Sequence, residues 1–391
     1  MKKTTAFLIL CALGGVAIFS STISKNPVLP ILAQEIGATK ATIGWIAAAS
    51  TVTGILTSLP AGLLSDRWGR KPLFLLSGFV FFTAPLLYFF IHTPLQLALV
   101  RVYHGLATAV FGPVAMAYVA DLAPTRRGER LGYYSSATLA GRALAPVMGG
   151  AILAWGDYRG VYGVCAVAGF LALLGMFWLP APQEATHAPV DRASLRKSLG
   201  FALGNSSILV TSVAEAAQFL AFGALEAFLP LYALSVGVDK VAVGVLFGVQ
   251  VSVRTLARPV MGWISDQRGR KKPILVGLAL TAVTMALFPL THSWLVMVAL
   301  SVGFGLGLSI ASAATSAFVA DLAPQAGRGT ALGLMSTIMD VGQALGPVLL
   351  GAILMSASYQ MGFAAIGGLV ILATALFGLA AGQEKPAEVG A

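Results

Sequence analysis

The feature that most constrains this chain is a succession of apolar blocks, each about 20 residues long, the length at which an α-helix crosses a bilayer. A hydropathy window of about 19 residues predicts twelve of them. They lie at 5–24, 43–64, 73–92, 95–120, 131–154 and 161–180, then at 201–224, 241–264, 273–291, 294–320, 331–355 and 361–382. Lipid offers backbone N–H and C=O groups no water, so each block must close its own hydrogen bonds as a helix. The expected fold class is an all-α polytopic membrane protein. Composition excludes the main rival: 10% of the 391 residues are charged, against about 25% in soluble proteins. That is too few to clothe the surface of a large soluble enzyme.

The net charge of +10 does not call for nucleic acid, which needs a basic face on a soluble fold. The positive residues sit in short connections between apolar blocks, where they set orientation. Of the 25 lysines and arginines, Lys25, Lys40, Arg159 and Lys240 lie on one side, and Arg101, Arg142, Arg254 and Arg258 lie within blocks. The other 17, including Lys2, Arg67, Arg126, Arg268 and Lys385, gather on the opposite side. This bias predicts both termini in the cytoplasm. Cys11 and Cys165 fall inside apolar blocks, so no disulfide framework and no cysteine metal or redox site is expected. The Met1-Lys2-Lys3 start has the shape of a signal peptide. No small-residue cleavage site closes the block, so it reads as a retained first helix.

Two internal copies are legible at a spacing of 200 residues. Leu29-Pro30, Gly37 and Lys40 recur as Leu229-Pro230, Gly237 and Lys240. Gly62, Ser65, Asp66, Gly69, Arg70 and Lys71 recur as Gly262, Ser265, Asp266, Gly269, Arg270 and Lys271. Val119–Pro124 recurs unchanged at Val319–Pro324, and Pro146 and Gly150 answer to Pro347 and Gly351 after a one-residue shift. The chain therefore divides into an N-terminal six-helix bundle (1–180), a cytoplasmic linker (181–198), and a C-terminal six-helix bundle with a short cytoplasmic tail (199–391). Two parallel halves related by an axis along the membrane normal are a transporter arrangement, with a central site between them.

These residues resemble the major facilitator superfamily. The run from Gly62 to Lys71, and its second copy from Gly262 to Lys271, is similar to that family's signature loop between the second and third helices. Arg101, His104 and Gly105 resemble its fourth-helix motif, with His104 where the family often has glutamine. The resemblance implies a fold of two pseudo-symmetric bundles. Arg70 can pair with Asp121, and Arg270 with Asp321; the resemblance implies that this charge network latches the cytoplasmic side in the outward-open state, the alternative being that it only fixes topology. By physical reading, Gly62 and Gly69 allow close helix approach and a tight turn, and Asp66 can face a helix N-terminus. Gly132, Gly141, Ala145-Pro146 and Gly149-Gly150 resemble the fifth-helix motif of the twelve-helix drug:proton antiporters, although Ala145 departs from the pattern. The second half carries nearly the same spacing at Gly333, Gly342, Gly346-Pro347 and Gly351, so part of the motif reflects duplication and helix packing.

Ionisable residues inside a membrane are costly and mark function by default. Glu215 and Asp340 lie within blocks, as do the arginines at 101, 142 and 254. Helical spacing groups them in stripes: Glu215, Gln218, Phe222 and Glu226; Gln250, Arg254 and Arg258; Ser336, Asp340 and Gln343; Arg101, His104 and Thr108. Polar stripes on lipid-like helices point to a cavity or to one another, so with Asn26 and Arg142 these residues are the substrate-cavity candidates. A proton carrier needs a carboxyl whose affinity changes as burial and nearby arginines change. Glu215 is the first candidate and Asp340 the second; the alternative for each is a permanent ion pair. Arg101 joins the coupling candidates, and Glu226, level with Asn26, reads as a mouth or gating residue.

The expected function is proton-coupled export of small amphipathic or drug-like compounds by alternating access, as in multidrug efflux and antibiotic resistance. The alternative is a transporter of one metabolite, organic anion or siderophore, by export or proton symport; the deep arginines Arg101, Arg142 and Arg254 outnumber the two deep carboxylates and allow it. No metalloprotease, nucleotide-binding or serine-hydrolase motif is present, so no enzyme activity, cofactor or metal is expected. The expected partners are a small-molecule substrate, protons (a carboxylate can also serve sodium) and the lipid bilayer. Each chain contains both halves and is expected to work as a monomer. The resemblance implies a bacterial inner membrane.

Overall fold

The computed structural model of the chain describes residues 3–122, 127–180 and 192–381. Residues 181–191 of the expected linker (181–198) and the tail from 382 lie outside the described residues. So do Lys2, Arg126 and Lys385 of the charge bias and Pro124 of the first repeat copy.

The first half comprises α1 (Lys3–Ile23), α2 (Val28–Glu35), α3 (Lys40–Trp68), α4 (Arg70–Leu87), α5 (Pro94–Leu122), α6 (Arg127–Trp155) and α7 (Tyr158–Trp178). A short α8 (Arg192–Gly204) precedes α9 (Ser206–Ser235), α10 (Lys240–Arg268), α11 (Lys271–Leu287), α12 (Trp294–Leu322), α13 (Arg328–Ile353) and α14 (Tyr359–Ala380). Among the described residues, twelve spans are long and apolar enough to cross a membrane, with α1 and α2 making one span of Thr4–Glu35. The seventh span starts later and runs further than its hydropathy predicts, from Ser206 to Ser235 rather than from 201 to 224. The later start has a local cause: Asn205 accepts from the Ile208 N–H at 3.1 Å and caps α9, leaving 192–204 as a separate helix.

The duplication is visible in the backbone. α3 and α10 begin 200 residues apart, as do α5 and α12. Among the described residues, the four glycines with left-handed backbone are two such pairs, Gly37 with Gly237 and Gly69 with Gly269. Gly69 and Gly269 make the tight turns of the signature loops, where any side chain would strain the backbone. Gly62 does not make the close approach expected of it: a Cβ there would lie 4.0 Å from Pro113, and one at its counterpart Gly262 would meet nothing within 4 Å.

Contacts divide the chain into two compact units. One consists of Met1–Ala188, Ala224–Val251 and Pro347–Ala357, the other of Pro189–Gly223, Ser252–Gly346 and Ser358–Ala391. Within the first, α3 packs on α5, α1 on α6, and α4 on α5 and α7. Phe74, Phe81, Phe111 and Tyr118 form its buried aromatic core. This unit also holds a pair of repeat-related contacts at the helix ends remote from the signature loops. Gly44 of α3 lies against the Pro347 carbonyl of α13, and Gly244 of α10 against the Pro146 carbonyl of α6. Gly351 lies against Lys40, and Gly150 against Lys240. Thus much of the fifth-helix motif and its echo is backbone-to-backbone packing, for which only glycine leaves room. Gly132 and Gly333 take no part, since nothing lies near either. In the second unit α11 packs on α12 and α14, with Gly277 and Gly307 allowing α11 and α12 to approach closely.

Candidate functional site

The signature loops place one arginine between two acids in each half. Arg70 Nε donates to Asp121 Oδ2 at 3.1 Å, and its Nη1 bonds Asp66 and the Ser65 hydroxyl. Arg270 repeats this with Asp321 at 3.0 Å, Asp266 and Ser265. The i, i+4 spacing across each glycine turn brings the acid and the arginine together, and the partner from α5 or α12 completes the set. Arg270 lies between two spans. Burial opposes its charge, but hydrogen bonds to Asp266 and Asp321 outweigh burial and hold its proton above the ordinary arginine range. Lys71 donates to the Phe177 carbonyl and Lys271 to the Ala381 carbonyl, so the charged turns also tie down the ends of α7 and α14.

Arg101 is buried within the first unit, 1% exposed. Its guanidinium donates to the Ser50 hydroxyl at 2.5 Å and to the Tyr88 hydroxyl at 3.4 Å. Tyr88 also meets His104 Nδ1 at 3.3 Å and stacks on Tyr162 with ring centroids 3.8 Å apart. Among the described residues no carboxylate lies within ion-pair distance of Arg101, and Arg101 Nε and His104 Nε2 have no hydrogen-bond partner. The i, i+3 stripe therefore continues as a polar cluster inside this unit. Thr108 turns back to the Gly105 carbonyl at 3.3 Å.

Glu215 is equally buried in the second unit, 2% exposed. Ser312 Oγ donates to its Oε1 at 2.7 Å, and Thr315 Oγ1 to its Oε2 at 2.9 Å. Among the described residues no cation lies within ion-pair distance of it. Arg254 instead covers the faces of Phe219 and Phe222, at 4.9 and 5.3 Å from the ring centroids. Burying a carboxyl without a cation is costly unless its oxygens are hydrogen-bonded, and the two hydroxyls meet that need.

The other predicted residues are dispersed. Gln218, expected beside Glu215 on a cavity face, is fully buried and donates to Thr281 Oγ1 at 3.3 Å and the Gly307 carbonyl at 3.0 Å, joining α9 to α11 and α12. Glu226 accepts from the Asn26 amide at 2.7 Å within the first unit. Gln250 is buried there with neither side-chain polar atom partnered among the described residues. Arg142 and Ser336 are exposed, and Asp340 and Gln343 half-buried. Sequence reasoning missed Ser50, Tyr88, Ser312 and Thr315. Ser312 and Thr315 carried a signal, an i, i+3 polar pair on a largely apolar helix. Ser50 and Tyr88 sit on other helices from Arg101, and nothing in the sequence pairs them with it.

With this geometry in place, the sequence model described as Major Facilitator Superfamily matches residues 10–266 and 211–391. The chain belongs to the Major Facilitator Superfamily. It is 26% identical over 352 residues to an uncharacterized MFS-type transporter of Methanocaldococcus jannaschii, covering 88% of this chain and 91% of that one. It is 25% identical to the bacillibactin exporter of Bacillus subtilis (85% and 86% covered). It is 23% identical to the quinolone resistance protein NorA of Staphylococcus aureus (84% of each). Among solved structures, a point mutant of the nucleoside transporter NupG superposes with a TM-score of 0.84 at 14% identity, over 95% of this chain and 98% of that one, a likeness of fold. This protein is thus a multi-pass membrane transporter of small molecules, not an enzyme.

Proposed function

We propose that this transporter is a proton-coupled exporter of small amphipathic, drug-like compounds, working by alternating access in a bacterial inner membrane with both termini in the cytoplasm. The observation that carries the reading is Glu215, a buried carboxyl held by two hydroxyls rather than by a cation. A carboxyl locked to arginine stays ionised, whereas one held by hydroxyls can take up and release a proton. Glu215 loads a proton from outside and unloads it inside, and Asp340 is the second carrier. The Arg70 and Arg270 clusters latch the cytoplasmic ends, and Asn26 with Glu226 guards the outer ends. Support for export comes from relatives described as a quinolone resistance protein and a bacillibactin exporter.

A second reading, a transporter of an organic anion or other specific metabolite, draws on Arg101, a buried guanidinium with no carboxylate beside it among the described residues. Proteoliposomes with an imposed pH gradient and an internal pH dye separate the two when challenged with cationic, neutral and anionic compounds. Lipophilic cations or neutral drugs that dissipate the gradient, with loss of that response in Glu215→Gln, support the export reading. Dissipation by anions alone transfers the site to Arg101. If both Glu215→Gln and Asp340→Asn retain full proton-driven transport, the coupling assignment fails.

A further inference from the structure

Thr315 holds one hydroxyl hydrogen and has two acceptors for it. Its Oγ1 lies 2.9 Å from Glu215 Oε2 and 3.3 Å from the backbone carbonyl of Ser312, one turn back on α12. A single O–H serves one of these well at a time. Ser312 Oγ, 2.7 Å from Glu215 Oε1, covers the other carboxylate oxygen. A hydroxyl donates one hydrogen and accepts at its lone pairs, which neither lysine nor arginine can do.

We propose that Thr315, assisted by Ser312, is a positioning residue that holds Glu215 in both of its protonation states by reversing the direction of one hydrogen bond. This rests on the reading of Glu215 as the proton carrier. With the carboxylate ionised, Ser312 and Thr315 both donate to it. When a proton binds at Oε2, the Thr315 O–H rotates to the Ser312 carbonyl, and Oγ1 accepts the new acid O–H. Release of the proton restores the first arrangement. The carboxyl keeps two partners throughout, so proton exchange leaves no buried polar group stranded, a cost otherwise incurred at each cycle.

The charged groups around Glu215 fit this assignment. Arg254 and Arg258 of α10 act on it only at longer range. Asp340 of α13 stands two residues before Gly342, which packs on the Ala216 carbonyl of α9. Gln218, one turn along α9, is engaged with Thr281 and Gly307.

The test uses the full-length protein in lipid, with pH-difference infrared spectroscopy on wild type, Glu215→Gln, Thr315→Val and Thr315→Ser. Glu215→Gln identifies the carboxylic-acid C=O band by removing it; if no band disappears, the proton-carrier reading itself fails. Given that band, Thr315→Val is expected to move its frequency, because an acid O–H has lost its acceptor, and Thr315→Ser to restore it. Proton-driven transport of a lipophilic cation, tetraphenylphosphonium, should fall about tenfold in Thr315→Val, the scale of one lost hydrogen bond to a charged group, and recover in Thr315→Ser. A Glu215 band unmoved in a monodisperse Thr315→Val protein overturns the inference and leaves the reading of Glu215 standing. Should Thr315→Val fail to fold, Thr315→Ala is read in the same way, with Thr315→Ser as its rescue.

Discussion

The two signature clusters are a controlled experiment within one chain. Asp121 and Asp321 occupy equivalent positions and bond equivalent arginines, at 3.1 and 3.0 Å. Their surroundings differ: the Arg70 and Asp121 side chains are each 8% exposed, whereas Arg270 and Asp321 are 19% and 55% exposed. Removing one partner of a buried pair costs roughly 3–5 kcal/mol. Asp66 still bonds Arg70 in Asp121→Asn, so the lower end, about 3 kcal/mol, is expected. An exposed pair contributes about 0–1 kcal/mol, and Asp321→Asn should cost near the middle of that range. At roughly 2–4 °C per kcal/mol for a unit of about 200 residues, Asp121→Asn should lower the melting midpoint by roughly 6–12 °C, and Asp321→Asn by no more than about 2–4 °C. Both midpoints are read by tryptophan fluorescence on protein in the same detergent. Equal shifts, or a larger one for Asp321→Asn, would refute the claim that burial rather than sequence sets the strength of each cluster.

Further outcomes follow from the packing and polar contacts. Gly44→Val and Gly244→Val each drive a side chain into a facing carbonyl and should cost about 1–3 kcal/mol, whereas Gly262→Ala, with open space around it, should be neutral; size-exclusion profiles and melting midpoints report this. Asn26→Asp puts a second carboxylate beside Glu226, so transport at neutral pH should fall and return in the double variant with Glu226→Gln. Glu226→Gln alone, which keeps the acceptor for Asn26, should transport nearly as wild type. Arg254→Ala uncovers the Phe219 and Phe222 faces. Relative to wild type, its selectivity in the liposome assay should move toward lipophilic cations, which gain a cation–π surface worth about 0.5–2 kcal/mol; unchanged selectivity would mean those rings do not meet substrate.

The sequence by itself determined the architecture, because lipid leaves the backbone almost no choice. Apolar blocks of bilayer length have to be helices, and the 200-residue repeat marked equivalent turns at Gly69 and Gly269 and equivalent ion pairs at Arg70 and Arg270. Polar residues inside apolar blocks likewise announced Arg101 and Glu215, since burial there demands a reason. Partners were another matter. A helical stripe says which residues share a face, not which neighbouring helix meets that face. Only the tertiary structure decided that Gln218 binds α11 and α12, that Arg254 covers two phenylalanines, and that Ser312 and Thr315 of α12 reach Glu215. It also decided that equal motifs have unequal burial, and that Gly44 and Gly244, not Gly62 and Gly262, lie where helices nearly touch. The physical reason is that helix formation is local, fixed by each block's own hydrogen bonds, whereas burial and pairing depend on side chains a hundred residues away.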